Sequence, residues 1–125
     1  MKTKHLLFAT LLFAVISCSN NSNTLNVADF KKSLSDSTTI LLDVRTPEEY
    51  AEGHIAGAIN IDYKGADFAS RVDSLDKSKS YDLYCRSGHR SGESLKLMEE
   101  KGFTKVRHLE GGILKWQESG QPVVK

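Results

Sequence analysis

Cysteine is scarce in this chain of 125 residues, which has only Cys18 and Cys85. Charge of one sign is missing too: 17 basic and 16 acidic side chains leave a formal +1, with no long run of either. That balance excludes the electrostatic footprint of a protein that binds nucleic acid or an acidic membrane surface, so useful positive charge must be local. The longest apolar stretch, residues 6–16, is too short to cross a bilayer. No internal repeat is present. What remains is 39% hydrophobic and 26% charged, ordinary for one small globular domain.

The amino-terminal segment stands apart from that domain. Lys2, Lys4 and His5 form a basic start ahead of the apolar run, and together they read as a secretory signal peptide over residues 1–17. The run ends in Val15-Ile16-Ser17-Cys18, which resembles the bacterial lipobox. In that reading Cys18 is the lipidated first residue of the mature chain; the alternative is an ordinary cleaved signal peptide with Cys18 merely nearby. Residues 18–24, Cys18-Ser19-Asn20-Asn21-Ser22-Asn23-Thr24, are too polar to bury apolar surface and read as a flexible tether. The expected location is outside the cytoplasm, in the periplasm or cell envelope, with membrane contact through the lipid anchor only. Removing residues 1–17 takes away Lys2 and Lys4 and no acid, leaving 15 basic against 16 acidic groups, or −1. If Cys18 is acylated, Cys85 is the one remaining thiol, an intramolecular disulfide is excluded, and a reactive role for Cys85 has to be considered.

Residues 25–125 alternate short apolar strands with helical patterns. Strands are expected over 40–44, 58–62, 81–85 and 105–109, with another short one near 25–27. Val27, Phe30 and Leu34 recur at helical spacing after Asn26, as do Phe68, Val72 and Leu75. Thr46-Pro47-Glu48-Glu49 supplies a capping box with proline at the first helical position. Residues 91–101 read as a helix closed by Gly102 in a left-handed cap, and Ile113 and Trp116 mark one face of a last short helix. Strands separated by helix-length segments predict an α/β fold, a mostly parallel sheet with helices on both faces.

In such sheets the ligand site lies off the carboxyl ends of the strands. Cys85 is expected at one of those ends, heading the loop Cys85-Arg86-Ser87-Gly88-His89-Arg90, which runs into a helix. Backbone N–H groups, the helix N-terminus and the guanidinium groups of Arg86 and Arg90 would all favour thiolate over thiol. A thiolate that attacks a sulfane sulfur becomes a persulfide, an anion suited to the same cradle.

Four landmarks carry a family resemblance. They are Leu41-Leu42-Asp43-Val44-Arg45-Thr46-Pro47-Glu48-Glu49-Tyr50, Gly53-His54-Ile55-Ala56-Gly57-Ala58-Ile59-Asn60-Ile61, the Cys85 loop through Ser91, and Leu109-Glu110-Gly111-Gly112-Ile113-Leu114-Lys115-Trp116. In this order and spacing they make residues 25–125 resemble a single-domain rhodanese, the sulfurtransferase family. The resemblance implies a three-layer fold with a five-stranded, mostly parallel sheet between helices. It implies transfer of sulfur from thiosulfate or a similar small sulfur-containing anion to a nucleophile, through a persulfide on Cys85 and with no cofactor or metal. The acceptor would be cyanide in the test tube and a thiol or protein in the cell. Related phosphatases and arsenate reductases have one residue more between Cys and Arg. The six residues from Cys85 to Arg90 fit a single sulfur better than a tetrahedral oxyanion. An oxyanion enzyme and a persulfide carrier without turnover remain the alternatives.

The expected substrate contacts are Arg86, Ser87, Gly88, His89 and Arg90. Arg86 is positioned to meet the donor's sulfonate; Arg90 either touches substrate or holds the loop by its carbonyls; His89 could hydrogen-bond a substrate oxygen or stand exposed and incidental. Asp43 and Arg45 resemble structural residues that hold neighbouring loops together. His54, His89 and His108 form no ligand spacing, so no metal is expected. Trp116 and Phe103 are expected in the core.

Overall fold

The structure, a computed structural model, describes residues 23–125; the proposed signal peptide, Cys18 and most of the tether lie outside the described residues. Five strands, β1 (Thr24–Leu25), β2 (Thr39–Asp43), β3 (Ile59–Asn60), β4 (Ser80–Tyr84) and β5 (Val106–Leu109), pair in parallel in the order β1-β5-β4-β2-β3. The helices between them are α1 (Val27–Leu34), α2 (Pro47–Glu52), α3 (Phe68–Asp73) and α4 (His89–Glu100), and α5 (Gly112–Glu118) follows the last strand. This is the expected three-layer α/β sandwich of a parallel sheet.

Both faces of the sheet are covered, so its central strands are apolar without alternation. Adjacent residues point to opposite layers. Leu42 and Leu83 pack with Phe68 and Val72 of α3 and Leu95 and Met98 of α4. Leu41 and Tyr84 pack with Phe30 of α1 and Ile113 and Trp116 of α5. Phe103 and Trp116 are buried, as expected. The central strand also carries Asp82, fully buried and paired at 3.0 Å with Arg107, its register partner on β5. Burial pushes the Asp82 carboxyl up, against the lowering effect of Ser33 and Arg107.

Local chemistry sets the helix starts. Asn26 accepts from the Asp29 N–H at 2.8 Å to cap α1. At α2 the Thr46 hydroxyl accepts from the Glu49 N–H and the Glu49 carboxylate accepts from the Thr46 N–H, with Pro47 at the first position.

Several boundaries differ from expectation. Thr24, assigned to the tether, is a strand residue, because β5 offers it a parallel edge: the His108 N–H donates to the Asn23 carbonyl at 2.8 Å. Residues 58–62 give only the two-residue β3. Helix α4 begins at His89 rather than Ser91, because Gly88 at φ 108 turns the chain immediately before it; Gly102, at φ 96, follows its end. His89 and Arg90 therefore belong to the first helical turn, not to an open loop.

Candidate active site

Cys85 follows the last residue of β4 at the carboxyl edge of the sheet and is 1% exposed. Its Sγ accepts a hydrogen bond from the Gly88 N–H at 3.0 Å. Reaching back to the sulfur within three residues requires the tight turn at Gly88, whose φ of 108 lies where side chains are disfavoured. A directed N–H stabilises negative charge on sulfur, whether on the thiolate or on a further sulfur attached to it.

The loop is fixed from outside by the first turn of α5. The Ile113 N–H donates to the Cys85 carbonyl at 2.9 Å and the Leu114 N–H to the Arg86 carbonyl at 3.2 Å. The first donors of α5, which have no partner within their own helix, are thus satisfied by the carbonyls of the loop. Such an approach leaves no room for a side chain at Gly112. A Cβ built there would lie 2.5 Å from the Cys85 carbonyl oxygen and closer still to that of Arg86, and Gly112 sits at φ 61. Gly112, in the last of the four sequence landmarks, is therefore a latch on the Cys85 loop.

Arg90 neither holds the loop carbonyls nor points alone toward a substrate. Its guanidinium makes a two-pronged pair with Glu49 of α2, Nη1 to Oε1 at 2.7 Å and Nη2 to Oε2 at 2.9 Å. Those hydrogen bonds pull the Glu49 carboxyl down to about 2, against the upward push of burial. Both side chains are largely covered, 14% and 26% exposed. The pair ties α4 to α2, a contact that no local spacing announced.

Asp43 and Arg45 form a buried cluster beside it. Arg45 Nη2 donates to Asp43 Oδ2 at 2.6 Å and to the Gly53 carbonyl at 2.7 Å. The Tyr84 hydroxyl donates to Asp43 Oδ2 at 2.6 Å and accepts from the Ile55 N–H at 3.0 Å. Burial and the Asp43 carboxylate push the Tyr84 hydroxyl well above its usual range, so it stays a donor. Tyr84 was not singled out in the sequence. Its position in an apolar strand gave no sign that its hydroxyl bridges two loops.

Arg86 is exposed, and its guanidinium has no ion-pair partner among the described residues. It lines a cavity of about 230 Å³ with Arg45, Glu49, Gly53, Ile113 and Gln117. Ser87 is exposed, and His89 is exposed at the start of α4. His54 is occupied elsewhere: its ring stacks on Tyr50 and Nδ1 meets the Tyr50 carbonyl at 3.0 Å. A larger cavity of about 630 Å³ lies at the amino-terminal edge of the strands, lined by Asp29, Ser33, Lys105 and Arg107, and none of its lining residues belongs to the Cys85 loop. Among the described residues no group of three or more acidic, His or Cys side chains is arranged to hold a metal ion.

Comparison with known proteins gives the same picture. The rhodanese-like domain pattern matches residues 26–119. A sulfurtransferase of Allochromatium vinosum is 32% identical over 103 residues, spanning 82% of this chain and 94% of that protein. Thiosulfate sulfurtransferase PspE of Escherichia coli is 36% identical over 84 residues, 67% of this chain and 77% of that protein. Among solved structures, a rhodanese-related protein from Thermoplasma volcanium superimposes with a TM-score of 0.72 at 33% identity, covering 81% of this chain and 96% of that one.

Proposed function

This chain belongs to the rhodanese-like domain family, and from that membership we propose that it is a sulfurtransferase working through a persulfide on Cys85. The thiolate attacks the outer sulfur of thiosulfate or a similar sulfane donor. A bond forms between that sulfur and Sγ as the donor's own sulfur–sulfur bond breaks, and sulfite leaves with the electron pair. A nucleophile then attacks the outer sulfur, and Cys85 departs as thiolate. The acceptor is cyanide in the test tube and a thiol or protein in the cell.

The observation that carries this reading is the Gly88 N–H set 3.0 Å from Sγ, in a Cys85-to-Arg90 segment whose first two carbonyls, those of Cys85 and Arg86, are pinned by α5. Such a cradle suits one sulfur anion, and its fixed carbonyls leave it little freedom to widen around a tetrahedral oxyanion. Arg86, at the mouth of the adjoining cavity, meets the donor's sulfonate oxygens. The relatives named for sulfur transfer support the same chemistry.

The test is intact-mass spectrometry of the purified protein after incubation with thiosulfate, alongside Cys85→Ser. The expected result is one added sulfur on the wild type alone, removed by cyanide with release of thiocyanate. No added sulfur from any sulfane donor would overturn the reading. Persulfide formation without catalytic discharge would convert it to a carrier, and turnover of arsenate or a phosphate ester would favour an oxyanion enzyme.

We also propose that the chain is exported and held to a membrane of the cell envelope through lipid on Cys18. Lys2, Lys4, the apolar residues 6–16 and Ser17 directly before Cys18 support this. In a bacterial host, Cys18→Ala should release the protein from the membrane fraction; retention there would overturn the proposal.

A further inference from the structure

A second set of polar atoms reaches the sulfur from α4 and β5. Ser91 Oγ lies 3.5 Å from Cys85 Sγ and 2.9 Å from His108 Nδ1. His108 Nε2 in turn lies 3.1 Å from Thr24 Oγ1. A continuous path of hydrogen-bonding atoms thus runs from the thiol through one buried hydroxyl to an imidazole. Ser91 is fully buried. Its hydroxyl carries one proton and can accept from two donors, and a third neighbour, the Gly88 carbonyl, lies at 3.2 Å.

The ring also packs against α4 next to Ser91. Gly92 lies inside α4, where glycine costs about 1 kcal/mol relative to alanine. A Cβ there would come within 3.4 Å of His108 Cε1 and 3.9 Å of Nε2. Those are ordinary contact distances, so the imidazole packs directly over this face of α4, one residue from Ser91.

We propose that Ser91 and His108 form a proton relay for Cys85, in which the thiol proton passes to Ser91 Oγ as the Ser91 proton passes to His108 Nδ1. The products are a thiolate, which keeps the sulfur's electron pair, and an imidazolium, so charge is separated and the net charge is unchanged. Once the acceptor has taken the outer sulfur and Cys85 has departed as thiolate, the reverse shifts return the proton to it. Ser91 contacts the reacting atom, and His108 acts through it as a positioning and proton-holding residue. The proposal rests on Cys85 being the nucleophile, but not on the identity of the sulfur donor.

The surroundings suit this role. Burial lowers the His108 pKa, so the ring is neutral and able to accept at neutral pH, while the charge of Glu110 works in the opposite direction. Facing the ring are Ser91 and Gly92 from α4, Thr24 from β1, Cys85 beyond β4 through Ser91, and Glu110 from the turn after β5. Glu110 is the acidic group that would stabilise the imidazolium.

Alkylation of Cys85 by neutral iodoacetamide between pH 5 and 9 tests the relay without requiring sulfur transfer. In the wild type, a thiol and an imidazole that share a proton should hold a reactivity plateau at acid pH, where a lone thiol falls tenfold per unit. His108→Asn keeps a hydrogen-bonding group near the Nδ1 position but cannot take the proton. It should lose the plateau, reacting about tenfold more slowly at pH 6 and at the wild-type rate at pH 9. Ser91→Ala, which is compatible with a helix, should do the same. Profiles that superimpose on the wild type, or that fall equally at every pH, would overturn the relay. A shifted alkylation profile in a protein that never forms a persulfide would leave the relay standing and remove the sulfurtransferase reading.

Discussion

Gly112→Ala measures how tightly the latch holds the Cys85 loop. An alanine at φ 61 carries a backbone cost of about 1 kcal/mol. Its Cβ would sit 2.5 Å from the Cys85 carbonyl oxygen, whereas carbon–oxygen contacts settle near ~3.4 Å. The loop and the α5 turn must therefore separate by nearly ~1 Å. That separation stretches the hydrogen bonds from Ile113 and Leu114, now 2.9 and 3.2 Å, toward about 4 Å, beyond useful range. At about 1 kcal/mol for each lost bond, the whole change costs roughly 3 kcal/mol, a large share of a margin of about 5–15 kcal/mol. Gly57→Ala is the control: φ is 84, and a Cβ there meets nothing within 4 Å, so only the backbone cost of about 1 kcal/mol applies. Urea unfolding of both variants, with unchanged slopes, reads the difference directly. The midpoints should separate by the equivalent of about 2 kcal/mol. In the fraction that stays folded, a reacting sulfur displaced by about 1 Å should slow persulfide formation on the order of a hundredfold in Gly112→Ala only. Equal midpoints for the two variants, or an unimpaired rate in Gly112→Ala, would refute the latch.

The Arg90–Glu49 pair should show itself in acid. A carboxyl held below its unfolded value adds stability that is fully present above about 4.5 and is lost as pH falls toward about 2. Allowing for screening at a partly exposed site, the loss is about 1–2 kcal/mol; urea midpoints of wild type and Glu49→Gln should converge over that window, and parallel curves would contradict the pairing. Asp43→Ala leaves the buried Arg45 guanidinium without its carboxylate and should cost about 3–5 kcal/mol, with much of that loss restored in Asp43→Ala/Arg45→Met; thermal unfolding of the three proteins checks this, and an unrestored double variant would show that the pair does not act as a unit. Arg86→Ala should raise KM for thiosulfate about tenfold while leaving kcat and the urea midpoint near wild type; an unchanged KM would remove Arg86 from donor binding.

The fold was legible in the sequence because its signals are local. Apolar runs such as Leu41-Leu42 and Leu83-Tyr84 mark strands covered on both faces, and Thr46 with Glu49 writes the start of α2 into four residues. The proposed nucleophile stood out because Cys85 was expected at the carboxyl end of a strand, and it directly follows β4. What the sequence hid depends on distance along the chain. Glu49 and Arg90 are separated by 41 residues, as are Tyr84 and Asp43, and no periodicity links such partners. Ser91 and His108 fall in the same class, 17 residues apart and joined only when α4 packs on β5. Asp82 and Arg107 meet because the β4–β5 register aligns them, which an apolar strand pattern does not specify. Gly112 did leave a signal, two glycines where a helix begins, but the carbonyls it makes room for belong to the Cys85 loop, 26 residues earlier in the chain.

These long-range partners divide labour between the two arginines of the Cys85 loop. Proximity alone makes Arg86 and Arg90 equivalent sources of positive charge for an anionic substrate. The structure separates them: both carboxylate oxygens of Glu49 take up the Arg90 guanidinium, so its net charge toward the mouth of the site is nearly cancelled. Arg86, exposed on the adjoining cavity, has no carboxylate paired with it among the described residues. Anion capture and loop support should therefore separate in mutants. Arg90→Ala strands Glu49 and loosens α4 where its first turn carries Gly88, the N–H donor to the sulfur, onto Cys85. Its loss should appear mainly in kcat and in stability, whereas that of Arg86→Ala appears in KM. Rising ionic strength should weaken thiosulfate capture in the wild type and have much less effect in Arg86→Ala, because an exposed charge is screened and an absent one is not. Equal salt dependence in the two proteins would place the capturing charge elsewhere.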